Sequence, residues 1–132
     1  MLNTESETIG LKPIDLSYCA GYLDGEGCFT YNQTPQISIE STYPHTLYVF
    51  KEMFGGNVKK RNKRANKVAR SSYIWAVYGD EAISTIKIIL KYLHEKHQQA
   101  VILLKIQGYP PHSVMRKHLL DELKKLKRID YE

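Results

Sequence analysis

Residues 19–29 read Cys-Ala-Gly-Tyr-Leu-Asp-Gly-Glu-Gly-Cys-Phe, and this stretch decides the fold. Helical spacing of the apolar residues predicts a helix over residues 14–23. Asp24 and Glu26 then fall at its C-terminal end, where the negative pole of the helix dipole disfavours an acidic side chain by about 0.3–1 kcal/mol. A cation or a hydrogen-bond donor must compensate these carboxylates, and a bound metal ion would do so.

Three glycines accompany the two carboxylates. Gly21 and Gly25 are four residues apart and therefore share one helix face, where another helix can approach closely. A glycine beside a helix end also has a simpler use, because it can adopt positive φ and stop the helix. Together with Gly27, however, the pair favours a helix-packing surface followed by a sharp exit.

The composition indicates one compact domain with an anionic partner. The chain has 132 residues, of which 42% are hydrophobic, and the glycine-acid motif does not repeat. Its formal net charge is +5, and residues 59–70 include seven Lys or Arg and no acid. A solvated charged face is the ordinary interpretation of a charge run. A run of one sign without carboxylates favours nucleic acid instead.

Cysteines and termini exclude other classes. Cys19 and Cys28 are too few for a zinc cluster, and we expect both to be small buried hydrophobic residues. Residues 1–12 are polar, which predicts a flexible tail rather than a signal peptide, and no apolar run reaches the roughly 18 residues of a membrane span. A soluble, intracellular protein is expected. Its compartment, whether bacterial or phage-infected cytoplasm or an organelle, stays open.

Periodicity predicts two β-hairpins between helices. Polar and apolar residues alternate over residues 28–34 and 36–41, with a turn at Thr34-Pro35, and again over residues 58–64 and 70–78. The predicted order is α-β-β-α-β-β-α with a helical tail. The inward strand positions are Phe29, Tyr31, Ile37, Ile39, Tyr73, Trp75 and Val77. One later helix is predicted to start at Pro44 and the next at Gly79-Asp80, and two more helices are predicted over residues 98–107 and 113–128.

Residues 19–27 resemble the LAGLIDADG signature of homing endonucleases and intron maturases. Two further segments, residues 55–58 and 92–100, resemble the exit from the second helix of that family and its "pyL..K..qa" segment. The resemblance implies an α+β fold with a four-stranded antiparallel, saddle-shaped sheet and extra C-terminal helices. It covers a single domain over residues 1–132, with a C-terminal helix at 112–130. The signature residues are matched outright by Ala20, Gly21, Asp24 and Gly27, and conservatively by Leu23 and Glu26.

The resemblance also implies a homodimer, because members with one motif pair two subunits and cut a pseudo-palindromic duplex. The subunits would meet through the helix at residues 19–25, with Ala20, Gly21, Asp24 and Gly25 as motif support. Hydrolysis of a phosphodiester needs a water molecule in line and a divalent cation. Glu26 and the carbonyl group of Gly25 are the expected ligands of Mg²⁺, for which Mn²⁺ or Ca²⁺ can substitute. Asp24 is assigned to supporting hydrogen bonds.

Two further catalytic positions follow from the resemblance. Lys96 matches the family's basic residue near the scissile phosphate, although an exposed lysine before a helix is the ordinary alternative. Ser41 is placed at the polar position that ends the second strand, where Gln is common in the family, with Glu40 and Thr42 as alternatives.

The outward side of the strands is the predicted DNA-binding surface, because a two-stranded ribbon fits the major groove. A noncatalytic nucleic-acid binder, such as a maturase or a transcription regulator, is the alternative function, and a structural interaction domain is a third. Retention of Glu26 distinguishes the nuclease. The predicted DNA-contacting residues are Thr30, Asn32, Thr34, Gln36, Ser38 and Glu40 in the first hairpin, and Lys59, Arg61, Lys63, Arg70, Ser72 and Ile74 in the second.

Overall fold

The computed structural model of the chain describes residues 15–61 and 71–129. The predicted α+β class and the predicted order of elements are confirmed in these ranges. A short 3-10 helix also spans Leu90–Tyr92. The elements are α1 (Leu16–Glu26), β1 (Gly27–Tyr31), β2 (Pro35–Ser41), α2 (His45–Phe54), β3 (Asn57–Arg61), β4 (Ser72–Tyr78), α3 (Gly79–Ile89), α4 (His97–Ile106) and α5 (Val114–Ile129).

The four strands form one antiparallel sheet in the order β1-β2-β4-β3, so the two hairpins join through β2 and β4. The register pairs Phe29 with Ile37. It also pairs Ile39 with Trp75. Because side chains alternate across a strand, these four residues face the same side of the sheet, where all are buried. Their predicted inward orientation is confirmed.

The helices cover this buried side of the sheet and complete the core. Leu23 of α1, Phe50 of α2, Ile86 of α3 and Leu103 of α4 are all fully buried. Burial of one such side chain stabilises the fold by about 1.5–3 kcal/mol. The opposite side of the sheet carries the polar positions of the strands.

The exit from α2 is fixed by Trp75 and two glycines. The indole Nε1 of Trp75 donates a hydrogen bond to the carbonyl oxygen of Gly55 at 2.9 Å. Gly55 and Gly56 both have positive φ, at 84° and 86°. A Cβ atom at Gly56 would lie 2.3 Å from the carbonyl oxygen of Ala76, so only glycine fits there.

Helix α5 packs on the domain that precedes it. Leu119 and Leu123 are buried in the common core. The guanidinium group of Arg116 donates hydrogen bonds to the carbonyl oxygens of Ile106 and Tyr109 and to the hydroxyl group of Tyr31. Arg116 therefore ties α5 to the end of α4 and to the first strand of the sheet.

The first turn differs from its prediction. β1 ends at Tyr31, and Pro35 already begins β2 as its register partner. Between them Gln33 has a φ of 66°, and the Asn32 N–H donates to the carbonyl oxygen of Thr34 at 3.0 Å. Asn32 and Thr34 thus belong to a turn and not to a strand. Proline is tolerated at the first residue of a strand, which is why β2 starts there.

The cysteines separate into one correct and one wrong prediction. Cys19 is buried as expected, whereas Cys28 is exposed. Cys28 precedes the inward Phe29 in β1, so the strand pleat turns its side chain outward. In the part of the chain that the structure describes, no helix is long and apolar enough to cross a membrane. The predicted residues Lys63 and Arg70, and residues 1–12, lie outside the described ranges.

Candidate functional site

Asp24 is built into the fold at the end of α1. Its side chain is buried, and its two carboxylate oxygens accept hydrogen bonds from the backbone N–H groups of His94 (2.8 Å) and Lys96 (3.0 Å). The carboxylate therefore fixes the segment between the 3-10 helix and α4. Both oxygens are occupied by protein donors, which leaves Asp24 a supporting residue in this geometry.

Lys96 supplies the cation that the helix end requires. Its ammonium Nζ donates to the carbonyl oxygen of Asp24 at 2.5 Å. Carbonyl groups in the last turn of a helix have no partner within the helix, and a positive charge beside them is stabilising. The expectation that a metal ion would compensate this end is therefore too narrow, because an ammonium group and two backbone donors already do so for Asp24.

Glu26 contrasts with Asp24. It is the last residue of α1, and its side chain is exposed. Among the described residues, Glu26 forms no ion pair with Lys, Arg or His. No three His, Cys, Asp or Glu side chains within residues 15–61 and 71–129 are grouped as a metal site. One exposed carboxylate beside a backbone carbonyl fits the hard oxygen ligands of Mg²⁺, which usually keeps several waters.

An open depression of about 610 Å³ surrounds this carboxylate. It lies where the end of α1, the start of β1, the segment before α4 and the last turn of α5 meet. From the sequence, the end of α1 and the segment that carries Lys96 were expected at this site, whereas α5 was not. The lining residues are Asp24, Gly25, Glu26, Gly27, Cys28, Glu95, Lys96, Gln99 and Lys127.

Lys127 is a residue of this depression that the sequence analysis missed. Its ammonium Nζ lies 4.0 Å from the Sγ atom of Cys28. Partial burial lowers the pKa of Lys127; Cys28 opposes this shift, and the ammonium group of Lys96 adds to it. Lys127 sits in a helix with many basic residues, so its spacing alone does not distinguish it from its neighbours.

The glycine face of α1 is not covered by any of the residues that the structure describes. Gly21 and Gly25 are exposed, and a Cβ atom built on either would meet nothing within 4 Å among the described residues. Ala20, on the other side of the helix, is fully buried. Gly27 is also required internally, because its Cβ would lie 2.7 Å from Cδ2 of Leu23.

The outward side of the sheet collects most of the predicted DNA-contacting residues. The register places Gln36 opposite Thr30 and Lys59 opposite Ile74. Strand alternation also brings Asn57 and Tyr78 to this side, and Tyr78 is 54% exposed. Continuing the two-residue period of β3 and β4 by one step would have identified both. The predicted residues on this side are Thr30, Gln36, Ser38, Glu40, Lys59, Arg61 and Ile74.

Two predicted residues do not offer free side chains on this surface. Ser72 is buried, and its hydroxyl donates to Oε2 of Glu40 at 2.5 Å. The other carboxylate oxygen of Glu40 accepts from Nη1 of Arg61 at 3.0 Å. Ser72 therefore orients Glu40, and its buried hydroxyl group is not free on this surface.

Ser41 lies away from the depression. Its hydroxyl oxygen accepts a hydrogen bond from the backbone N–H of Tyr43 at 3.0 Å, where the chain turns from β2 into α2. Of the two alternatives, Glu40 is engaged by Arg61 and Ser72, and Thr42 is exposed. None of the three lines the depression around Glu26.

Comparison with known proteins identifies the fold. No protein-family model and no curated protein matches this sequence. Solved structures do match, and they are homing endonucleases. The likeness agrees with the resemblance seen in residues 19–27.

Two of these structures are of the homing endonuclease I-CvuI. In complex with its target Sro1.3 in the presence of Ca, it has a TM-score of 0.65 and 23% identity, covering 84% of this chain and 80% of the other. With the I-CreI target and Mg, where the DNA is not cleaved, the TM-score is 0.67 at 19% identity, covering 94% and 85%. A third, the archaeal intron-encoded homing endonuclease I-Vdi141I complexed with DNA, has a TM-score of 0.55 and 16% identity, covering 85% and 96%. The chain therefore has the fold of homing endonucleases.

Proposed function

We propose that this protein is a sequence-specific DNA endonuclease that cuts both strands of a long pseudo-palindromic site as a homodimer. The observation that carries the proposal is the exposed carboxylate of Glu26 at the end of a glycine-faced helix, beside a basic residue and next to a polar sheet surface. The three structural relatives described above are homing endonucleases bound to DNA.

DNA would lie along the outward side of the sheet. This side presents Gln36, Lys59 and Arg61, which are residue types that contact bases and phosphates. Arg61 is held by Glu40, so its guanidinium group is oriented before DNA arrives. A preoriented arginine suits recognition of guanine, whereas lysines mainly hold phosphates.

Hydrolysis would take place at Glu26. The carboxylate and the neighbouring Gly25 carbonyl group would hold Mg²⁺, which supplies charge stabilisation and acidifies water. In the reaction the water oxygen forms a new bond to phosphorus, one bridging P–O bond breaks, and the water proton passes to the leaving oxygen. Lys96 is placed at the same depression, where an ammonium group can stabilise charge on the phosphate.

Two subunits would be needed because each chain brings one such carboxylate to the site. The face with Gly21 and Gly25 leaves room for close contact between helices, and a two-fold axis through it would bring both copies of Glu26 together. Repulsion between these carboxylates would be relieved by the bound cations. The helix at residues 19–25 is therefore the proposed dimer contact.

The test begins with selection of bound and cut sequences from a randomised duplex library in Mg²⁺. On the selected site, Glu26→Gln should slow cleavage by at least about 100-fold while binding in Ca²⁺ is retained. Glu95→Gln is the matched control, because Glu95 lines the same depression and should keep most of the activity. A Glu26→Gln protein that cuts at the wild-type rate would remove this residue from the reaction.

A further inference from the structure

Lys127 reaches the depression at Glu26 from the far end of the chain. It lies in the last turn of α5 and lines the depression together with Lys96 of the segment before α4. Its neighbours in the helix, Lys124 and Arg128, are exposed, whereas Lys127 is half-buried. The lysine stem is thus covered by protein and the ammonium group is directed to the depression.

The charge of Lys127 is not paired directly within the described residues, although Glu26 and Glu95 line the same depression. Neither Lys127 nor Lys96 forms an ion pair with a carboxylate in residues 15–61 and 71–129. The contact of Lys127 with Cys28 is long, at 4.0 Å between Nζ and Sγ. A partly buried ammonium group without an ion-pair partner is unfavourable. The ammonium group of Lys96, which donates to the carbonyl oxygen of Asp24, adds repulsion across the same depression. An apolar side chain of similar length would suit the isolated fold better.

The helix dipole gives Lys127 only a partial explanation. A cation in the last turn of a helix is stabilising, and Lys127 and Arg128 are both in the last turn of α5. The exposed Arg128 provides that interaction without entering the depression. The direction of the Lys127 side chain therefore points to an anionic ligand in the depression.

We propose that Lys127 contacts a non-bridging oxygen of the phosphate that is cut. Its ammonium group would act as a second cation opposite Lys96. The inference rests on the proposed nuclease function. The depression is also lined by the carboxylates of Asp24, Glu26 and Glu95. Both carboxylate oxygens of Asp24 already accept hydrogen bonds from backbone N–H groups. Counted with these three carboxylates and the two lysines, a divalent cation at Glu26 and one phosphodiester anion between the lysines would bring the net charge of the site to zero.

The first test measures binding, which does not require cleavage. The probe is the duplex selected from the library, in Ca²⁺ and at a series of salt concentrations. Loss of one phosphate contact lowers the magnitude of the slope of log K against log salt by about 0.9. Lys127→Met removes one contact from each subunit of the homodimer and should therefore lower this magnitude by roughly twice that amount. Lys124→Met, an exposed lysine of the same helix, is the matched control and should keep more of the slope than Lys127→Met.

The second test locates the contact. On a duplex with a neutral methylphosphonate at the scissile phosphate, wild type and Lys127→Met should bind with equal affinity. The difference in affinity between wild type and Lys124→Met should be the same on the natural and the modified duplex. In single turnover on the natural duplex, Lys127→Met should cut about 10- to 100-fold more slowly, with partial recovery in Lys127→Arg. Thermal unfolding verifies that each variant is folded. If Lys127→Met does not fold, Lys127→Gln takes its place.

Two outcomes overturn the proposal. One is a salt slope and cutting rate of Lys127→Met equal to those of Lys124→Met. The other is a difference in affinity that persists on the methylphosphonate duplex, because Lys127 would then contact another part of the DNA. If the wild-type protein binds a selected duplex but never cuts it, the nuclease function fails, and the salt slope of Lys127→Met still decides whether Lys127 contacts a phosphate of the DNA.

Discussion

The inward and outward sides of α1 carry the same residue types and use them differently. Asp24 is buried and accepts two backbone hydrogen bonds, whereas Glu26, two residues later, is exposed at the depression. Gly27 is needed because Leu23 leaves no room for a Cβ atom, whereas a Cβ atom on Gly21 would meet none of the described residues within 4 Å. One short motif thus combines residues that hold the domain together with residues left free for a ligand or a partner.

Lys96 connects the two sides. Its backbone N–H donates to the carboxylate of Asp24, and its ammonium group donates to the carbonyl oxygen of the same residue. The position of this lysine beside Glu26 is therefore set by the structural carboxylate. Any change at Asp24 is expected to disturb the basic group of the site as well as the fold.

The largest expected effect concerns the free face of the helix. Gly21→Leu should leave the subunit folded, because nothing within 4 Å opposes a Cβ atom there, but should prevent close approach of two helices. Sedimentation with and without the selected duplex should show loss of the dimer, and cutting should disappear. Ser84→Leu, at an exposed site on α3, is the control and should stay dimeric. A dimeric, active Gly21→Leu protein would argue against this contact surface.

The next effect separates the two carboxylates by stability. Asp24→Asn replaces one acceptor oxygen with an NH₂ group that faces a backbone donor, and should lower the free energy of unfolding by about 1–3 kcal/mol. Glu26→Gln should stay within about 0.5 kcal/mol of wild type because its side chain is exposed. Denaturant unfolding measures both. Equal losses in the two variants would erase the distinction between them.

A smaller effect concerns the two thiols. Burial raises the pKa of Cys19 to about 11, and Asp15 adds to the shift. At pH 8 Cys19 is therefore a protonated, covered thiol, and its reactivity should rise only as the pH approaches 11. Cys28 is exposed and should react first with N-ethylmaleimide, as followed by peptide mass spectrometry. Preferential labelling of Cys19 in the folded protein would contradict the orientation of β1.

The same shift affects stability at alkaline pH. Because the pKa of Cys19 is higher in the folded than in the unfolded chain, its contribution to stability is present at neutral pH and is lost as the pH rises toward 11. Cys19→Ala should remove this component of the alkaline loss. Unfolding measured at pH 8 and pH 10.5 compares the two proteins. A pH dependence unchanged by Cys19→Ala would reject this assignment.

Local periodicity was sufficient to predict the frame of the molecule. Phe29, Ile37 and Trp75 were correctly turned inward because alternation in a half-buried strand is a property of neighbouring residues. The short turn at residues 32–34 was missed because the polar residues there extend the alternating pattern. The strand boundary depends on the positive φ of Gln33, which the alternation does not reveal.

Contacts between distant residues were beyond the sequence. The donors to Asp24 lie 70 and 72 residues away, and Lys127 meets Cys28 across 99 residues. Strand alternation placed Ser72 on the outward surface, but its hydroxyl group is buried in a hydrogen bond with Glu40. These pairings depend on how the sheet and helices pack, which residue spacing does not encode.

Whether each Glu26 serves the cleavage of one DNA strand is tested with a mixed dimer of one intact subunit and one Glu26→Gln subunit. The mixed dimer is purified through two different affinity tags. Its substrate is a supercoiled plasmid that carries the selected site. If each Glu26 serves one DNA strand, nicked circles should accumulate and linear plasmid should form at least about 100-fold more slowly than with wild type. Linear plasmid formed by the mixed dimer at the wild-type rate would contradict the assignment of one Glu26 to each DNA strand.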